Sequence, residues 1–191
     1  KSSQCFPSNL SIFDEKGAGM ARIAYVNGHY VRHRDAAIHI EDRGYQFADG
    51  VYEVFAVIGG KLIGEQGHLD RLTHSLNELR LNWPMNRSAL KIIINEIAQR
   101  NHIFDGSVYL QITRGTAPRD HAFPTHCKSS LVVTAKKSSP FNNTLFGEGI
   151  DVITIPDIRW KRCDIKSVAL LPNVLGKQKA RESGAFEAWQ V

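Results

Sequence analysis

Two stretches of the sequence combine residue types that could do chemistry. In Arg114-Gly-Thr-Ala-Pro-Arg-Asp-His121, Arg119 and His121 stand two residues apart. An extended segment points both to the same side, and a guanidinium beside an imidazole is a good trap for a carboxylate: the Arg fork binds bidentately and His adds a donor. The bland alternative is a solvated loop with helpful charges. In Asp164-Ile-Lys-Ser167, Lys166 is flanked by Ile165 and by Val168–Leu171. Such an apolar neighbourhood, with Arg159, Lys161 or Arg162 close in sequence, would favour a neutral amine usable as nucleophile or base. Otherwise Lys166 is ordinary surface. Cys163 beside it reads as a small buried filler rather than a reactive thiol.

Tyr52 and Arg71 acquire meaning only with a partner. Tyr52 follows Asp49-Gly50, where glycine permits a close approach of backbone or ligand. Arg71, between Leu69 and Leu72, falls in the first turn or so of a helix expected to begin near Gly67. The macrodipole disfavours a cation there unless an anion meets it, and a bound phosphate would resolve the conflict. The competing reading is a surface salt bridge with Asp70 or Glu65. Other sites are excluded by pattern. There is no G-x-x-x-x-G-K-[ST], and Gly147-Glu-Gly149 lacks the third glycine of a dinucleotide fingerprint. His29, His33 and His39, near Glu41 and Asp42, do not have the spacing of a known metal site, so no metal is expected.

These residues need elements to position them. Arg22–Val26, Asn27-Gly28 and His29–Arg32 form the strongest hairpin signal in the chain. A polar loop from Asp35 to Gly50 leads into strand Val51–Val57, which turns through Gly59-Gly60 into Lys61–Ile63. Leu69, Leu72, Leu76 and Leu79 recur at helical spacing and stop at Trp83-Pro84. Ser88 is a plausible N-cap for a second helix with Leu90, Ile93, Ile94 and Ile97 inward. Val108, Leu110 and Ile112 alternate as a strand, as do Leu131, Val133 and Ala135. Beyond the polar stretch Lys136–Asn143 come strand Ile150–Ile155, a helix opened by Pro172-Asn173 and closed by Gly184, and an alternating tail over Ala185–Val191.

Composition bounds the rest. The 191 residues are 42% hydrophobic and 23% charged, with a net charge of +5. That is an ordinary globular composition, and the basic residues form no aromatic-interleaved stripe, so a nucleic-acid partner is not expected. Cys5, Cys127 and Cys163 are far apart and in no C-x-x-C pair, which favours a reducing, cytoplasmic setting. No apolar run approaches membrane-spanning length. The sequons at Asn9, Asn86 and Asn142 read as chance matches in the absence of a secretory leader. Residues 1–19 are Ser-rich without an apolar core and are expected to be a non-native or disordered extension before Met20.

Taken together, Glu41-Asp-Arg-Gly-Tyr-Gln-Phe-Ala-Asp-Gly-Val-Tyr-Glu-Val54, His68-Leu-Asp-Arg-Leu72, Thr113–His121, Asp157–Trp160 and Cys163–Ser167 resemble class IV pyridoxal-phosphate aminotransferases of the D-amino acid type. The likeness runs in order from about Ile23 to Val191. It implies an α+β, two-domain class IV fold: an N-terminal domain over 20–136, a linker over 137–143, and the opening of a cofactor-binding domain over 144–191. It also implies that Lys166 forms the Schiff base with pyridoxal 5'-phosphate and shuttles the α-proton, that Arg71 holds the cofactor phosphate, and that Tyr52, Arg119 and His121 trap the substrate carboxylate. In the family the Arg and His can act across a homodimer interface. The implied activity is transamination between a D-amino acid, such as D-alanine, and a 2-oxo acid. Branched-chain L-amino acid transamination is the nearest alternative. The family's Thr-Glu-Gly-Ser-Ser-Ser-Asn run, whose glutamate meets the pyridine nitrogen, is not in the sequence. The second domain is therefore expected to be truncated, leaving either a fragment of a longer enzyme or an inert relative that acts, if at all, as a dimerisation partner.

Overall fold

A computed structural model of the chain describes residues 22–138, 147 and 149–191. The expected extension over 1–19 and the expected linker residues 139–143 lie outside the described residues. Strands β1 (Ile23–Val26) and β2 (His29–Arg32) pair antiparallel around Asn27 and Gly28, at φ 47° and 104°. Positive φ at both central residues is what a two-residue hairpin turn requires. The Asn27 Oδ1 also accepts from the Ser130 hydroxyl and the Leu131 N–H, fastening the turn to the neighbouring strand.

The polar loop before Gly50 is not wholly irregular. A single helical turn, α1 (Arg43–Phe47), is capped by Asp42, whose side chain accepts from the Gly44 N–H. The other Asp42 oxygen accepts from the Thr113 hydroxyl at 2.8 Å. Asp42 is thus a cap and an anchor at once, a role that no hydrophobic periodicity announces.

Strands β3 (Gly50–Ile58), β4 (Lys61–Leu62), β5 (Gly106–Thr113) and β6 (Ser130–Lys137) complete a six-stranded sheet in the order β2-β1-β6-β5-β3-β4. Its recorded pairings are all antiparallel. β6 runs through Lys137, one residue into the expected linker. On β3, Val51, Glu53, Phe55 and Val57 are buried and alternate with more exposed neighbours. Their cross-strand partners Ile112, Leu110 and Val108 lie on the same face, as the pleat demands.

That face is covered by α2 (Glu65–Glu78) and α3 (Arg87–Arg100). Leu69, Leu72 and Leu76 of α2 and Leu90, Ile94 and Ile97 of α3 are fully buried against it. Each such side chain contributes about 1.5–3 kcal/mol of hydrophobic stabilisation. Two helix starts differ from expectation. α2 begins at Glu65, placing Arg71 in the second turn rather than the first. α3 is capped by Asn86, whose side chain accepts from Ala89 N–H, and not by Ser88.

Strand β7 (Val152–Ile155), helix α4 (Leu171–Glu182) and strand β8 (Glu187–Gln190) form a small unit in which β7 and β8 are parallel. Pro172 stands in the first helical turn, where its missing N–H is harmless. Gly176 and Ala180 are the buried residues of α4, and a Cβ on Gly176 would lie 3.0 Å from Ile155 Cδ1. The irregular segment before α4 carries Lys166 onto the large sheet.

Candidate active site

Lys166 is fixed by its backbone. Its N–H donates to the Ser75 hydroxyl on α2 at 3.1 Å, and its carbonyl accepts from the Tyr52 N–H at 3.0 Å. Val168 N–H donates to Gly50 O at 3.1 Å, and Ser167 forms an antiparallel bridge with Val51. The edge of β3 that short β4 leaves open is therefore occupied at its start by the lysine-bearing segment. Gly50 is required there: a Cβ would sit 2.8 Å from the carbonyl oxygen of Ile112.

The Lys166 side chain extends across the face opposite the two helices, its Nζ 4.2 Å from the centroid of the Tyr52 ring. Tyr52 stacks in turn on Tyr109, with centroids 5.8 Å apart and planes 27° from parallel. The Tyr109 hydroxyl donates to Gln111 Oε1 at 2.7 Å. Burial, with a smaller effect from Tyr52, pushes the Tyr109 phenol up to about 12, so it stays protonated and serves as a donor. Lys166 and Tyr52 line a hollow of about 180 Å³ together with Arg159, Trp160, Ser167 and Asn173. Among the described residues, no carboxylate lies within ion-pairing distance of the Lys166 amine. Two of the three neighbouring cations are already answered: Arg159 is bidentate to Asp157, and Arg162 pairs with Glu78 and Asp164, while Lys161 has no recorded partner among the described residues.

Arg71 lies one helical turn from Ser75 on α2 but is not among the described residues lining this hollow. Its Nε and Nη2 donate to the two oxygens of Glu53, each at 2.7 Å. Neither Asp70 nor Glu65 is its partner; those pair with Arg87 and Lys91. Glu53 has a side-chain exposure of 0%, and His68 Nδ1 lies 2.8 Å from its Oε2. Burial alone would raise the Glu53 carboxyl, yet the hydrogen bonds from Arg71 and His68 hold it below its ordinary value. Arg71 itself is about half exposed, and among the described residues its Nη1 has no hydrogen-bond partner.

Arg119 and His121 are brought together, but at a separate place. Both are exposed, and neither is among the residues lining the Lys166 hollow. They meet on Phe47 of α1: Arg119 Cζ is 4.7 Å and the His121 ring centroid 5.3 Å from the Phe47 centroid. Their loop is clamped by buried Arg43, which donates to the carbonyls of Asp120 and His121 at 2.5 and 3.3 Å. Asp49 bridges Arg43 at 2.8 Å and Arg114 at 2.6 Å. Although burial opposes ionisation, the bonds from Arg114 and then Arg43 keep the Asp49 carboxyl below its usual value. Gly115, at φ +96°, opens the loop, and a Cβ there would come within 2.0 Å of Lys128 O.

Comparison with known proteins matches residues 50–191 to the family model of class IV amino-transferases. A D-alanine aminotransferase of Listeria monocytogenes serotype 4b (strain F2365) is 44% identical over 165 residues, 85% of this chain and 57% of that protein. One from Bacillus licheniformis is 41% identical over 163 residues, again 85% and 57%. The chain thus spans a little over half the length of these relatives. Among solved structures, a T.th. branched-chain amino acid aminotransferase with pyridoxamine 5'-phosphate aligns at TM-score 0.78 and 18% identity, covering 90% of this chain and 59% of that one. The branched-chain enzyme of Escherichia coli gives TM-score 0.77 at 19% identity over 90% and 58%. These likenesses establish the fold.

Proposed function

The chain belongs to the class IV aminotransferases, and from that membership we propose that it is part of an enzyme moving an amino group between a D-amino acid, such as D-alanine, and a 2-oxo acid. The observation that carries this reading is the Lys166 amine, held without a carboxylate partner among the described residues over the Tyr52 ring in a shared hollow. The preference for a D-amino acid is supported by relatives of 39–44% identity that bear the name D-alanine aminotransferase.

The residues lining the Lys166 hollow fit the aldehyde-bearing ring of pyridoxal 5'-phosphate. An amine free of carboxylates suits an aldehyde, and two aromatic side chains, Tyr52 and Trp160, line the hollow that would take its ring. For its phosphate the family likeness offers Arg71, whose guanidinium lies outside the Lys166 hollow with two nitrogens taken by Glu53, so that Nη1 alone is open to an anion unless Glu53 is displaced. When bound, the coenzyme supplies an electron sink for the carbanion left by loss of the α-proton. The protein's part is to orient and to move protons. The Lys166 Nζ takes the proton from the substrate Cα and returns it, as a general base and acid. The backbone bonds to Ser75 and Tyr52 keep that amine in register. Arg119 and His121, with Tyr52, receive the substrate carboxylate; because the first two lie away from the Lys166 hollow, the reading assigns them to the hollow of a second copy in a homodimer. The domain division at 20–136 and 144–191, with 137–143 between, belongs to the same proposal, as does a cytoplasmic setting. No helix among the described residues is long and apolar enough to cross a membrane.

Adding pyridoxal phosphate to the chain tests the reading. A visible absorbance band that is absent from Lys166→Ala supports it, and no band in the unaltered chain overturns it. D-Alanine and L-leucine compared as amino donors then test the stereochemistry; use of the L-acid alone would reassign the specificity.

A further inference from the structure

We infer that Phe47 is a positioning residue for the carboxylate trap, its ring holding Arg119 and His121 side by side while leaving their polar edges open. The inference rests on the proposed role of those two residues and adds what places them.

An exposed arginine can be held in two ways. The usual holder is a carboxylate, as Glu53 holds Arg71 through two bonds of 2.7 Å. Such a partner occupies the donor fork and neutralises the charge, so an incoming substrate carboxylate must displace it. An aromatic face holds the guanidinium through its quadrupole and leaves the N–H edges unbonded. Arg119 is held in the second way. Its Cζ lies 4.7 Å from the Phe47 centroid, and among the described residues its side chain makes neither an ion pair nor a hydrogen bond. The His121 ring packs on the same phenyl group at 5.3 Å, tilted by 51°, and its nitrogens likewise have no recorded partner among the described residues.

The ring is itself fixed. It ends α1, which Asp42 caps at its start and Ala48, at φ 55°, closes. Arg43 Cζ lies 4.9 Å from the same centroid, while its donors reach Asp49 and the carbonyls of Asp120 and His121. The backbone of the trap is therefore pinned by Arg43 and its side chains by Phe47. The ligand this arrangement takes is a small monocarboxylate, bound by a bidentate guanidinium and one imidazole donor.

The test uses the whole chain without coenzyme and acetate as the probe, titrated at fixed ionic strength. The readout is the NMR resonance of the His121 ring, identified by its loss in His121→Gln. Phe47→Leu removes the quadrupole and is expected to weaken acetate binding about two- to five-fold. Replacing Phe47 by ring-fluorinated phenylalanines keeps the shape and drains the quadrupole. Affinity is expected to fall stepwise with fluorine number, a trend that a packing role alone would not produce. Acetate affinity unchanged in the fluorinated series overturns the inference and leaves the trap itself standing, whether or not Phe47→Leu folds. An unaltered chain whose His121 ignores acetate overturns both, while the Lys166 absorbance test remains independent of either outcome.

Discussion

The Ser75 hydroxyl accepts a hydrogen bond from the Lys166 N–H at 3.1 Å, joining the last turns of α2 to the segment that carries Lys166 across 91 residues of sequence. Ser75 is fully buried, so this bond is shielded from water. Ser75→Ala leaves the N–H without its acceptor and is expected to destabilise the fold by about 1–3 kcal/mol. Urea denaturation measures it. Ser75→Thr, which keeps a hydroxyl, should recover much of the loss; an alanine variant as stable as the parent would mean the bond contributes nothing.

Asp49 neutralises two guanidiniums, those of Arg43 and Arg114, whose side chains are only 4% and 9% exposed. Asp49→Asn strands both charges in a poorly solvated place and is expected to cost about 3–5 kcal/mol. The denaturant midpoint should fall accordingly. The loop bearing Arg119 and His121 should become susceptible to limited proteolysis in the same variant, because Arg43 also holds that loop.

Acid should act through the same carboxylates. Asp49 and Glu53 both have folded-state pKa values below their ordinary ones, so each contributes stability that is present above the unfolded value and lost as pH falls through the folded one. Stability is expected to decline as pH drops below about 4, the ordinary carboxylate range. Glu53→Gln should be less stable than the parent near neutrality and show a shallower decline on acidification, measured as urea midpoints from neutral to acid pH. Parallel curves for the two proteins would contradict the assignment.

Gly115 and Gly28 offer a matched contrast. Both have positive φ, +96° and +104°, but a Cβ on Gly115 meets the Lys128 carbonyl at 2.0 Å while one on Gly28 meets nothing within 4 Å. Gly28→Ala should show only the conformational penalty, about 1 kcal/mol, whereas Gly115→Ala should exceed about 2 kcal/mol because backbone must also move. Thermal unfolding of the pair separates strain from collision.

Much of this architecture was legible in the sequence because it repeats. The Asn27-Gly28 hairpin, the leucine spacing of α2 and the alternation of β3, β5 and β6 each carry a period or a turn signal that survives without tertiary context. α1 carries neither: its single turn depends on Asp42, which is fixed by Thr113 from across the fold. Local sequence offers Asp70 or Glu65 as the partner of Arg71, whereas the partner is Glu53, on a strand 18 residues earlier. A signal was present, since Glu53 falls in the inward phase of Val51, Phe55 and Val57, where an acid must find a cation. Arg119 and His121 do share a side, as their spacing suggested, but the phenyl ring that gathers them is 72 residues from Arg119 and no local pattern points to it.

The bridge between Ser167 and Val51 makes the placement of the amine a matter of parity. In paired extended backbone, successive side chains face opposite ways, so one residue added or removed between Ile165 and Val168 would exchange Lys166 with a neighbour and turn the nitrogen away from Tyr52. Length changes over residues 156–164, outside that pairing, carry no such inversion. A change of length in the approach would disturb the lining residues Arg159 and Trp160 and the Arg162 ion pairs, while one in the last three steps would also invert the facing of the amine.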